Sequence, residues 1–324
     1  MFRNWNIVFF VILSVYLIGC KSSPVQPIQQ TQSSNQDSII DDPKIELGKL
    51  LFFDKRLSRD ESISCASCHI PNRAFASNEK VAIGIDGRKN LRNTPTILNL
   101  ANHKAFMFDG VISTLEMQAL VPIQDHNEMD IPMNELIIRL TQDKRYEKFS
   151  RDLFRRSIDP TVITKSLAAY VRSLTSLNSR FDQFYYSGKT DVLTPDEKAG
   201  WNIFSAKLNC ITCHALPNFT TGENTNNGLY EVYSIDPGRL RATNLPSDEG
   251  SFKIPSLRNI ELTYPYMHDG SLPDLEDVIL HYSKGGKSNS HKNPLVKPFN
   301  LSDKEVRQLI AFFKSLTDTS YILH

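Results

Sequence analysis

The sequence predicts an all-α protein built as two linked halves of similar design. Three observations carry this. Apolar residues recur at helical spacing behind recognisable capping residues, no stretch alternates convincingly as a strand, and one pentad occurs twice. The copies are Cys65-Ala66-Ser67-Cys68-His69 and Cys210-Ile211-Thr212-Cys213-His214. The chain has 324 residues, enough for two ordinary domains, and a formal net charge of +1, which gives no basic field for nucleic acid.

The chain opens like an exported protein. Arg3 supplies a positive start, and residues 7–19 are apolar but short for a membrane span. Leu17-Ile18-Gly19-Cys20 resembles the bacterial lipoprotein cleavage box, so residues 1–19 read as signal and Cys20 as a lipidated N-terminus. The alternative is a plain secretory signal with an incidental cysteine. Residues 20–40, rich in Ser, Gln and Pro, read as a disordered tether.

Order is expected from Asp42-Pro43, an N-cap with proline at the first helical position, followed by Leu47, Leu50 and Leu51. After the first pentad, residues 74–102 read as loop, with Gly84 and Gly87 as turn signals. Helical patterns follow at 133–140 and 146–154, and behind Asp159-Pro160 through Ile163, Leu167, Tyr170, Val171 and Leu174. Residues 187–193 read as the joint, giving domains 41–188 and 189–324. Thr194-Pro195-Asp196-Glu197 is a capping box that starts a helix carrying Trp201 and Phe204. A helix over 274–284 stops at Gly285-Gly286, and Ser302-Asp303-Lys304-Glu305 caps the last one.

The pentads define the chemistry. Thiols at i and i+3 share one face of a helical turn and reach the two vinyl groups of one porphyrin, with the next histidine beneath the iron. This is the c-type haem attachment pattern. Zinc also takes paired cysteines but needs no histidine directly after each pair, and a thioredoxin-like pair would sit near a βαβ pattern. Four of the five cysteines belong to the pentads, so no disulfide framework is left. Further pieces recur in order. Leu91-Arg92-Asn93 matches Leu257-Arg258-Asn259, residues 106–110 match 266–270, and Leu115-Glu116 matches Leu275-Glu276, which indicates internal duplication.

The order of these motifs over roughly residues 43–317 resembles the bacterial di-haem cytochrome c peroxidase family, including the related methylamine-utilisation enzyme that matures a quinone cofactor. The resemblance implies that the first haem meets hydrogen peroxide and the second takes in electrons from a small cytochrome or cupredoxin. It assigns the acid/base role to Glu128 of Glu128-Met129 and peroxide orientation to Gln118. Outside that context Glu128 would read as a solvated loop carboxylate. It implies a calcium ion held by Asn93, Thr263 and Pro265, with Asn93 as a mere loop brace the alternative. Many family members cap the first iron with a loop histidine. That position falls near Ile85 here, and no His or Met occurs in residues 70–102, so the first iron is expected to be open. His103, just beyond the loop, reads as a surface histidine, with ligation of the first iron the alternative.

For the second iron the resemblance gives Tyr282 as sixth ligand, with Met267 the rival and a core tyrosine the third reading. Leu275, Val278, Ile279 and Tyr282 share one stripe, with His281 on the polar side. The family's bridging tryptophan is Phe108 here, and Trp201 does not match that position. The expected function is a periplasmic, lipid-anchored peroxidase, at the outer membrane by weak preference. The alternatives are an oxidase of an organic or protein substrate through high-valent iron, or an electron carrier. A homodimer is left open.

Overall fold

The computed structural model describes residues 42–323, so the signal, Cys20 and the tether lie outside the described residues. The described fold is helical. Its one ladder pairs Asn224–Thr225 antiparallel with Phe252–Lys253.

Each half is framed by two crossing helices that meet at a glycine. In the first, Pro43–Phe53 begins at Asp42, whose carboxylate accepts the Lys44 N–H at 2.9 Å. It lies on Pro160–Ser173, where Asp159 accepts the Val162 N–H at 2.9 Å. A Cβ on Gly48 would stand 2.0 Å from the Ser166 carbonyl oxygen. In the second, Pro195–Asn202 starts at the Thr194/Glu197 capping box and runs into a π-turn, Ile203–Lys207. It lies on Asp303–Ser315, capped by Ser302 and Glu305, and a Cβ on Gly200 would stand 2.0 Å from the Gln308 carbonyl oxygen. Only glycine lets backbones approach this closely.

Two apolar cores result. Leu47, Leu51, Phe52, Leu136, Leu140, Ile163 and Leu167 fill the first. Phe181, Phe204, Phe219, Leu309 and Phe312 fill the second. Full burial of each such side chain contributes about 1.5–3 kcal/mol. The second core begins at Phe181, in the short helix Arg180–Tyr185 that precedes the sequence-derived joint. Tyr321 returns to the first core, where its hydroxyl accepts the Ala74 N–H at 2.9 Å. That helix and another, Leu115–Gln124 with Pro122 inside it, were not legible as helices in the sequence.

The duplication is structural, but one sequence match is corrected. Asn99 and Asn259, both left-handed, open the 3-10 turns Leu100–Asn102 and Ile260–Leu262. The Asn99 N–H donates to the carbonyl of Leu174, and that of Asn259 to Leu316, each just past its half's last framing helix. Met107 and Met267, also left-handed, then lead into bridges Phe106–Ile112 and Tyr266–Leu272. The equivalent of 257–259 is therefore 97–99, not 91–93. Arg92 instead lies buried between the halves, pairing with Asp236 at 2.6 Å and Asp109 at 2.8 Å, whereas Arg258 pairs with Asp182. The halves also join where the Asn93 N–H donates to the His268 carbonyl at 2.7 Å.

Candidate active site

Cys65–Cys68 forms a single helical turn, closed by the Ser64/Ser67 capping box. Both thiols and His69 line one cavity. Its apolar walls include Phe52, Ile97, Leu167 and Val171. Burial pushes the Cys65 thiol up to about 12 and the Cys68 thiol up to about 11, so neither is a thiolate at neutral pH. Burial lowers the His69 pKa and keeps the ring neutral. Its Nδ1–H donates to the Phe75 carbonyl at 2.9 Å, which leaves Nε2 with its lone pair. Two thiols for thioethers beside an imidazole in this tautomer fit a covalent haem.

Glu128, Gln118 and Pro122 line the same cavity. Burial, followed by the nearby Asp125 charge, raises Glu128 to about 7, while a hydrogen bond from Asn90 opposes the rise. That bond runs from Asn90 Nδ2 to Glu128 Oε1 at 2.7 Å. Gln118 Nε2 points at the Met107 sulfur, 3.9 Å away.

The loop between the first pentad and residue 92 is tied to the Glu128 segment. The Ile85 N–H donates to the Glu128 carbonyl at 2.9 Å, and Arg88 pairs with Asp130 at 2.8 Å. A Cβ on Gly84 would lie 2.1 Å from the Asn127 carbonyl oxygen. The capping position expected near Ile85 falls next to residues that line the cavity. The loop residues lining the cavity are Ala82, Ile83 and Gly84, while the 3-10 turn Ile85–Gly87 folds the tip onto residues 125–130 and buries Ile85. His103 is corrected: it is half-buried beside Lys253, and burial, then that positive charge, lowers it to about 4. It is not among the cavity-lining residues.

In the second half Cys210–Thr212 forms the corresponding turn. The His214 Nδ1–H is shared between the carbonyls of Phe219 at 3.1 Å and Pro255 at 3.2 Å, again leaving Nε2 available. Burial pushes Cys210 up to about 11. Tyr282 and Met267 converge on one amide: Asn227 Nδ2 lies 3.3 Å from the Tyr282 hydroxyl and 3.4 Å from the Met267 sulfur. His281 is half-buried rather than on an open polar face, because its Nε2 meets the Asn227 carbonyl at 3.2 Å.

Asn93 spends its amide nitrogen on the carbonyls of Glu79 at 2.9 Å and Lys80 at 3.3 Å, which turns its oxygen to other partners. The His268 contact brings it beside the segment carrying Thr263 and Pro265. Phe108 sits between the halves, its carbonyl accepting the Lys253 N–H at 2.6 Å. Trp201 packs instead on Phe181 and Phe312 in the second core.

Comparison with known proteins agrees with this arrangement. Residues 42–191 match the family model for di-haem cytochrome c peroxidase, and residues 198–317 match that for cytochrome c. The chain is 36% identical to the methylamine utilization protein MauG of Methylorubrum extorquens, over 84% of this chain and 78% of that one. It is 32% identical to cytochrome c551 peroxidase of Nitrosomonas europaea, over 91% and 84%. A crystal structure of a MauG-like protein associated with microbial copper homeostasis aligns with a TM-score of 0.80 at 32% identity, covering 93% of each chain.

Proposed function

The chain belongs to the di-haem cytochrome c peroxidase family, and we propose that it reduces hydrogen peroxide to water at the first of two covalent c-type haems. Cys65, Cys68 and His69 hold the first haem, and Cys210, Cys213 and His214 the second. When bound, the haems supply iron centres that exchange electrons and, at the first site, accept peroxide. Glu128 takes the proton from one peroxide oxygen and returns it to the other, which leaves as water. Gln118 orients the peroxide with its amide. The apolar wall of Phe52, Ile97, Leu167 and Val171 keeps bulk water from competing for that proton. The carrying observation is a buried carboxylate with a proton affinity near neutrality, in the cavity that the first pentad lines.

Electrons enter at the second haem from a small reduced cytochrome or cupredoxin. Tyr282 is its proposed sixth ligand in preference to Met267, from its place in the helix Leu275–Ser283 on one stripe with Leu275 and Ile279. Asn93, Thr263 and Pro265 are the proposed calcium ligands. The domains divide at 188/189, and Cys20 carries the lipid that holds the enzyme on the periplasmic side, at the outer membrane. The tyrosine at 282 also favours a second reading, oxidation of an organic or protein substrate, because a phenolate stabilises oxidised iron. Steady-state turnover decides. Hydrogen peroxide with a reduced small cytochrome should give cytochrome oxidation and water, and denatured-protein mass spectrometry should show two haem additions. Peroxide consumed without cytochrome oxidation would favour the substrate oxidase, and fewer than two haems would remove the basis of both readings.

A further inference from the structure

We infer that Asn90 is the positioning residue for Glu128, holding the carboxylate in register with the cavity and fixing which of its oxygens exchanges the proton. The inference rests on Glu128 as the proton carrier. Asn90 lies on the loop that closes over the first pentad, 38 residues from Glu128 in sequence. Its backbone is fixed on both sides: the Asn90 N–H donates to the Ala82 carbonyl at 2.8 Å, and the Ala82 N–H donates to the Arg92 carbonyl at 3.0 Å.

The side chain has no freedom to reverse. Asn90 Oδ1 accepts the Leu91 N–H at 2.7 Å, so the atom presented to Glu128 is the NH₂ group, a donor. Its bond occupies Oε1, and Oε2 is the oxygen that takes and returns the proton. The Glu128 backbone is held by the same loop through the Ile85 N–H at 2.9 Å, and Gly84 lets the two backbones touch. Glu128 is thus gripped at its carbonyl and at one carboxylate oxygen by a single rigid segment. Two carboxylates in one chain segment, Asp125 and Asp130, flank the arrangement. Asp130 is neutralised by Arg59 and Arg88, which leaves Asp125 as the charge acting on Glu128.

The rival explanation is that Asn90 only closes the loop through Leu91 and Ala82. Stopped-flow reaction of the fully ferric holoprotein with hydrogen peroxide separates the two in five proteins: wild type, Asn90→Asp, Asn90→Ala, Glu128→Gln, and Asn90→Ala with Glu128→Gln. Asn90→Asp keeps an oxygen for the Leu91 N–H but sets a carboxylate against Glu128. Both single Asn90 variants should slow the reaction about ten-fold or more, the scale of a lost hydrogen bond to a charged group. In the Glu128→Gln background Asn90→Ala should cost nothing further, because its effect passes through the carboxylate. Infrared spectroscopy gives a readout apart from turnover: the Glu128 carboxyl band, identified by its loss in Glu128→Gln, should shift in both Asn90 variants. A wild-type rate in Asn90→Asp, or the same fold-loss from Asn90→Ala in both backgrounds, would overturn the inference and leave Asn90 a loop brace. A wild-type rate in Glu128→Gln would instead remove the role of Glu128 itself, and this inference with it.

Discussion

The two halves use one frame and differ on the side facing the anchoring histidine. In both, a glycine sets the helix crossing, a left-handed asparagine opens a 3-10 turn, and a left-handed methionine precedes a short capped helix. The register that matches Asn99 with Asn259 and Met107 with Met267 also matches Pro122 with Tyr282. Where the second half brings a phenol beside Asn227, the first lines its cavity with proline, whose side chain has no donor atom to offer a metal. The sulfurs follow the same division: Met107 meets the Gln118 amide and Met267 the Asn227 amide. Duplication preserved the frame around each pentad, and in the proposed function a few facing side chains fit one copy to peroxide and the other to electron entry.

The largest expected break in that contrast is Glu128→Gln. It keeps shape but removes the base, and should lower the rate of peroxide reaction roughly 10²-fold or more while both haem spectra persist. Unchanged kinetics would mean that the first half owes nothing to its carboxylate.

Next come the shared features. Gly48→Ala and Gly200→Ala each drive a methyl against backbone, Ser166 in one case and Gln308 in the other. Each should destabilise its half by about 1–3 kcal/mol in denaturant titration. A large effect in one half and none in the other would show that the frames are not equivalent.

The pH dependence should separate the halves more finely. The folded pKa of Glu128, about 7, lies above its ordinary 4.5, with burial the main cause. Ionisation therefore costs stability as pH rises from about 4.5 to about 7, and the proton-accepting form is lost as pH falls below about 7. The peroxide rate should fall about ten-fold for each unit below that point, and Glu128→Gln should flatten the profile.

Local signals were legible in the sequence and distant ones were not. The capping residues Asp42, Asp159, Thr194 and Ser302 announce themselves within three or four positions, and so do the pentads. Glu128 and Gln118 could be named from motif context, but Asn90 acts across 38 residues and Asn227 reaches Tyr282 across 55, with no local pattern to mark either. The match of 91–93 to 257–259 followed three identical letters rather than spacing. The constant register of Met107 with Met267 and Leu115 with Leu275 would have selected Thr94-Pro95 through Asn99 instead.

The smallest effect on the first half should come from Tyr282→Phe, and that makes it the sharpest probe of the division of labour. The change removes one oxygen and leaves the ring in its stripe with Leu275 and Ile279. Asn227 then loses the hydroxyl at 3.3 Å but keeps the Met267 sulfur at 3.4 Å, so Met267 would be the rival ligand that remains. A thioether favours the reduced metal more than a phenolate does, and the potential of the second haem should rise. The low-spin ferric spectrum should change, while the high-spin signal of the first haem and its reaction rate with peroxide should stay within a few-fold of wild type. The fully ferric variant should still react without prior reduction, because no loop His or Met has to leave the first site and His103 lies outside its cavity lining. A spectrum identical to wild type would remove Tyr282 as ligand. A lost high-spin signal at the first haem would show instead that the halves are coupled through their shared interface at Arg92 and Asn93, and that the two sites do not act as separate units.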